Sequence, residues 1–100
     1  MVKWSRRARA DLKAIHDRIA LDAPINAKAV AQEIVRKADT LAACPYTGRK
    51  VPETNDDRLR EIPAYSWRIL YHVRDDQVFV VTLMHKRRNP GPEEIDSALD

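Results

Sequence analysis

The chain has 100 residues, 44% of them hydrophobic, with 18 Lys and Arg against 15 Asp and Glu for a net charge of +3. That length holds one domain with a modest core and excludes a cofactor domain beside a substrate domain. A single cysteine excludes an intramolecular disulfide, and no apolar run approaches the about 20 residues of a membrane span, so a cytoplasmic protein is expected.

Val2-Lys3-Trp4 reads as a short strand, and Ser5 as the cap of a first helix. Ala8, Leu12, Ile15 and Ile19 recur at helical spacing, with Arg6, Arg9, Lys13, Asp17 and Arg18 mostly opposite. This helix is expected to end near Asp22. Asp22-Ala23-Pro24 then makes a tight connection, and Pro24 or Ile25 opens a second helix. Ala27, Val30, Ile34, Ala38 and Leu41 form its stripe, which runs to about Ala43. A short link between two such helices implies an antiparallel hairpin. Cys44 reads as a small core residue.

Residues 45–57 read as a polar loop. Leu59 to Ile62 is a strand candidate, closed by Pro63-Ala64. Trp67 to Val73 is a stronger one. Gln77 to Met84 is apolar on both faces and therefore central. Arg74 to Gln77 joins the last two as a tight hairpin. Asn89-Pro90-Gly91-Pro92 is a stop, after which Glu93 to Leu99 can form a short acidic helix. The expected fold class is α+β, in the order β-α-α-β-β-β. A helical hairpin packs on an antiparallel sheet, with residues 1–88 as the domain and 89–100 as a C-terminal tail or short helix.

Charge is uneven along this order. All 18 bases lie before residue 89 with 11 acids, so residues 1–88 carry +7. A basic body attracts polyanions or an acidic protein. If the hairpin turns at Asp75-Asp76, Arg68 lies opposite Leu83 and Ser66 opposite His85. Arg68 and His85 are then diagonal neighbours on one face, with Arg87 continuing it. A slip of one residue would separate them onto opposite faces. An Arg/His cluster suits a phosphate, since Arg offers a planar fork of donors and His exchanges a proton near neutral pH. Trp67 can stack on a base or pack on a protein. The same residues also fit an exposed, solvated strand end. No metal-ligand spacing, phosphate-binding glycine loop or nucleophile signature is present, so neither metal nor cofactor is expected. His16 and His72 read as structural or surface residues.

Several segments in order resemble one family. They are Pro45-x-x-Gly48-Arg49-x-Val51-Pro52-Glu53, Arg60-Glu61, Trp67-Arg68-Ile69-Leu70-Tyr71-x-Val73, and Val81-x-x-Met84-His85-x-Arg87-Arg88. Together with the two helices they resemble the RelE/ParE superfamily of type II toxins over roughly residues 2–88. The resemblance implies a cognate antitoxin that wraps an extended or helical segment over the toxin, and a basic body suits an acidic antitoxin tail. RelE-like members cleave mRNA on the ribosome without a metal, and Arg68, His85 and Arg87 would be the catalytic candidates. In that branch the lysine positions fall here at Leu59 and Glu61, and the tyrosine position at Glu93. ParE-like members inhibit DNA gyrase without catalytic residues. The segment 48–53 and the His-x-Arg ending resemble this branch more. Arg60, Trp67, Arg68, His85, Arg87 and Arg88 would then form a surface for the target or the antitoxin. A nucleic-acid-binding module without toxicity is the remaining class.

Overall fold

The computed structural model describes residues 2–54 and 56–88. The expected tail or helix at 89–100 lies outside the described residues. In chain order the elements are β1 (Val2–Trp4), α1 (Arg6–Ala20), α2 (Pro24–Asp39), β2 (Arg49–Lys50), β3 (Leu59–Ala64), β4 (Trp67–Arg74) and β5 (Gln77–His85). The five strands form one sheet in the order β1-β5-β4-β3-β2. β1 runs parallel to β5, and the other pairs are antiparallel. The α+β class and the helical hairpin are as expected, with one strand more.

Ser5 begins α1 and fastens it to the sheet. Its hydroxyl accepts from the Ala8 N–H at 2.9 Å and donates to the Val81 carbonyl at 2.7 Å. Its own N–H donates to the Val80 carbonyl at 2.9 Å. Pro24 opens α2 in the first turn, where its missing N–H has no helical partner to lose. All five expected stripe positions of the second helix are buried: Ala27, Val30, Ile34, Ala38 and Leu41. The α-helix itself stops at Asp39, and Leu41 reaches the core from a single 3-10 turn, Thr40–Ala42. From the helices, Ala8, Ile15, Val30, Ile34 and Ala38 pack on Ala64, Ile69, Val80 and Leu83 of the sheet.

The opposite face of the sheet is also partly covered. Val51 folds back over Leu59, Leu70, Val81 and Met84 to make a second small cluster. This is why the expected polar loop is not merely a loop. Within it Arg49 pairs with Glu61 and Lys50 with Arg60, forming the edge strand β2. Two residues carry no readable period, so only the pairing reveals them.

Three further expectations are corrected. β3 does not stop before Pro63 but includes it. The Leu59 carbonyl accepts from the Val51 N–H, so alternate residues Leu59, Glu61 and Pro63 turn their backbone groups toward the sheet edge. Proline there removes a donor that no neighbouring strand uses. Cys44 is exposed rather than in the core, because the chain has already left α2 for the turn closed by Thr47 N–H to Cys44 carbonyl.

The third correction concerns the β4–β5 register. Arg74 faces Gln77 as expected, and Asp75 and Asp76 take φ of 51° and 61°, which suits a tight two-residue hairpin turn. The pairing holds to Tyr71 with Val80. A bulge at Val81 then shifts it, so Leu70 faces Thr82 and Arg68 faces Met84. The bulge is held from α1: Asp11 Oδ2 accepts from the Thr82 hydroxyl at 2.6 Å and from the Leu83 N–H at 3.1 Å. Trp67 rather than Ser66 therefore lies opposite His85, and Arg68 and His85 occupy opposite faces of the sheet.

His72 sits mid-strand in β4, 2% exposed, with neither ring nitrogen hydrogen-bonded. Burial pushes its pKa below the usual 6.5, helped by Arg58 and Arg74 and opposed by Asp56. The unfolded chain therefore takes up a proton that the fold refuses. Stability should fall as pH drops below about 6.5 and continue to fall down to the lower folded value. Urea unfolding at about pH 7.5 and about pH 5.5 checks this, and His72→Leu should flatten the difference. An unchanged pH slope in that variant would refute the assignment.

Candidate functional site

Arg68 lies near the start of β4, on the face away from the helices, and is 7% exposed. A buried guanidinium requires opposite charge and hydrogen-bond acceptors around it. Two carboxylates supply them. Glu61 lies on the same face of the neighbouring strand β3, is 4% exposed, and accepts from Arg68 Nε at 2.6 Å and from Nη2. Glu53 arrives from the turn after β2 and takes Nη1 and Nη2 as a two-point fork, each at 2.9 Å. The Arg88 carbonyl accepts a further bond from Nη1 at 2.9 Å. Arg49 Nε closes the chain on Glu61 Oε1 at 2.5 Å. Two cations thus meet two carboxylates across four chain segments. The Arg68 hydrogen bonds hold the Glu53 carboxyl below its ordinary range, and the same bonds hold Arg68 charged.

A groove of about 820 Å³ runs beside this network, lined by Thr47, Gly48, Arg49, Pro52, Glu53, Glu61, Ile62, Pro63, Arg68 and Lys86. Gly48 closes one side of it. Its N–H donates to the buried Tyr71 hydroxyl at 2.9 Å. A Cβ at that position would stand 2.5 Å from the Glu61 carbonyl and 2.5 Å from the Tyr71 hydroxyl.

The remaining expected site residues lie elsewhere. His85 ends β5, exposed, opposite Trp67. Its Nδ1 accepts from the Arg87 N–H at 3.2 Å. The Lys86 N–H holds the Ser66 carbonyl at 2.8 Å, and the Arg88 N–H holds the His85 carbonyl at 2.9 Å. His85, Lys86, Arg87 and Arg88 are exposed, and Trp67 is half-buried against the helix-side core. Arg60 faces the helix side at the other end of β3. It stacks on Tyr46 at 5.0 Å and donates to the Gly48 and Asp57 carbonyls. The structure therefore brings Trp67, His85 and Arg87 to one sheet end. It separates Arg68 from them by the thickness of the sheet, and Arg60 by the length of a strand.

Sequence reasoning did not find the two partners of Arg68. A signal existed for one of them: Glu61 alternates with Leu59 on one face of the strand, both are buried, and a carboxylate at a buried position needs a cation. Glu53 had no such signal, since it comes from a turn. Among the described residues no group of His, Cys, Asp and Glu could hold a metal ion, and no helix is long and apolar enough to cross a membrane.

Residues 2–90 match the family model described as the ParE toxin of the type II toxin–antitoxin system parDE. The chain belongs to the ParE toxin family. This toxin is also similar to Toxin RelE2 of Caulobacter vibrioides, at 39% identity over 90 residues, which cover 87% of this chain and 96% of that one. Its fold is similar to that of a chromosomal ParDE system from P. aeruginosa, with TM-score 0.72, 23% identity, and coverage of 84% of this chain and 92% of the other. A RelBE2 toxin–antitoxin complex from Mycobacterium tuberculosis shares the fold at TM-score 0.62 and 20% identity, covering 86% and 96%. The RelE/ParE resemblance read from the sequence is thus the family the chain falls in.

Proposed function

We propose that this ParE-family toxin inhibits DNA gyrase in the cytoplasm and is neutralised by a cognate antitoxin with an acidic segment. The observation that carries the first part is the state of Arg68. A ribonuclease needs its strand arginine to meet the charge that develops on the scissile phosphate. Here every edge of that guanidinium is taken by Glu53, Glu61 and the Arg88 carbonyl. The positions of the ribonuclease lysines hold Leu59, which is buried in the second cluster, and Glu61, which is committed to Arg49 and Arg68. Trp67, His85, Arg87 and Arg88 then serve as a docking surface for the target or the antitoxin, with Arg60 a separate contact at the far end of β3. Arg68 shapes that end of the sheet from beneath.

The second reading is a ribosome-dependent endoribonuclease. Its support is the 39% identity with Toxin RelE2 and the exposure of His85, a residue type suited to proton transfer. Purified toxin mixed with gyrase and relaxed plasmid should block supercoiling or trap cleaved DNA, while mRNA on translating ribosomes stays intact. Normal supercoiling at excess toxin, with mRNA cut in a His85-dependent way, would overturn the gyrase reading in favour of the nuclease. A variant carrying His85→Ala and Arg87→Ala should lose gyrase inhibition or antitoxin binding with little change in melting temperature, since both side chains are exposed.

A further inference from the structure

Among the described elements α1 carries the largest net charge. Its 15 residues hold Arg6, Arg7, Arg9, Lys13 and Arg18 against Asp11 and Asp17, a net of +3, equal to that of the whole chain, with Arg7 half-buried and the other four bases exposed. Asp11 does not offset these bases at the surface, because its carboxylate is turned to Thr82 and Leu83. The first turn holds no acid, although acids are what the helix dipole favours there. Arg6, Arg9 and Lys13 recur at spacings of three and four, so they share one face, opposite the buried Ala8 and Ile15. All three are exposed. Neither Arg6 nor Arg9 has a carboxylate partner among the described residues. Lys13 is held by Asp17 at 2.6 Å, but both side chains are more than half exposed, and such a pair gives way easily to a stronger anion.

The shape of this face selects among polyanions. From Arg6 to Lys13 is about 10 Å along the axis, over which duplex DNA presents a charge every about 1.7 Å. Ala10 flanks this row, and its small side chain does not hold the helix off a surface. The major groove of B-form DNA, about 12 Å wide, lets the exposed side of one helix reach the phosphates on its rims, whereas the deep, narrow major groove of duplex RNA does not admit it. We propose that the outer face of α1, through Arg6, Arg9 and Lys13, seats on the phosphate backbone of duplex DNA. This goes beyond the gyrase reading, and the contact is measured with no gyrase present, so each can fail without the other.

The test is fluorescence anisotropy of a short mixed-sequence DNA duplex with the full-length chain over a series of KCl concentrations. Three neutralised phosphates should give a slope of log affinity on log salt of about −2.7. Arg6→Glu with Arg9→Glu should weaken binding by about tenfold or more at low salt and flatten the slope by about 2. Both side chains are exposed, so an unchanged circular dichroism spectrum separates lost binding from lost folding. Lys28→Glu with Arg74→Glu makes the same charge change away from this face and should matter far less. The proposal is overturned if that control weakens binding equally, or if the duplex fails to bind at low salt. It is also overturned if duplex RNA binds as tightly, or if polyglutamate at matched charge displaces the DNA, which would mark a surface for an acidic protein.

Discussion

Arg68→Met should destabilise the fold by about 3–5 kcal/mol, because it takes the buried partner from Glu61, which keeps only the exposed Arg49, and both bonds from Glu53 in a site built around a guanidinium. For a domain of this size that is a fall in melting temperature on the order of 15–25 °C. Arg68→Lys should recover only part of it, since an ammonium is a point charge and cannot make the fork to Glu53 while also holding Glu61. Adding Glu61→Leu to Arg68→Met should restore most of the loss: Glu53 can turn to solvent, and the buried position becomes apolar. The pH dependence follows from the Glu53 carboxyl, which is held below its ordinary 4.5 by Arg68. The stabilisation from a depressed carboxyl is fully present above the unfolded value and is lost as pH falls through the lower folded one. Acid unfolding below about pH 4.5 should therefore be steeper in the wild type than in Arg68→Met. Calorimetry of the three variants decides the matter. An Arg68→Met protein that melts normally but has lost toxicity would instead make Arg68 a residue that meets the target, and would revive the nuclease reading.

Gly48→Ala should cost about 2–3 kcal/mol, from overpacking and from strain on a buried hydrogen bond. The new methyl would be driven against the Glu61 carbonyl and the Tyr71 hydroxyl, each 2.5 Å away. One obstacle is backbone and the other is the tip of a fully buried side chain, so neither can yield cheaply. β2 would be pushed off β3, carrying Arg49 away from Glu61 and loosening the turn that delivers Glu53. Tyr71→Phe in the Gly48→Ala background removes the hydroxyl but not the carbonyl, so rescue should be partial. Chemical denaturation of the two variants measures this. Wild-type stability in Gly48→Ala would show that β2 can move freely, and that the groove beside it is not rigidly framed.

Both predictions turn on Gly48 to Glu53, a segment whose residues look unremarkable one by one. Its glycine, its edge strand, its buried Val51 and its Glu53 become intelligible only when β3 and β4 are beside it. The sequence motif marked the place, and the packing supplies the reason.

By itself, the sequence determined the helices, the two long strands and the turn between them. Those features are written in local periodicity and in residues whose preference is local: the Ser5 cap, the Pro24 start, the apolar stripes, the Asp75-Asp76 turn. It also carried the resemblance to the RelE/ParE superfamily and the basic character of the body. Only the tertiary structure decided the pairing. Asp11 in α1 holds a bulge in β5 some seventy positions away, and that one inserted residue moves His85 to the other face from Arg68. A side-chain period of two makes a sheet unforgiving of such a shift, and nothing near Val81 announces it. The environment of Arg68 was decided in the same way. Its partners come from a turn, a neighbouring strand and the segment after β5, and burial turned an arginine that reads as a phosphate ligand into the centre of a closed ion network.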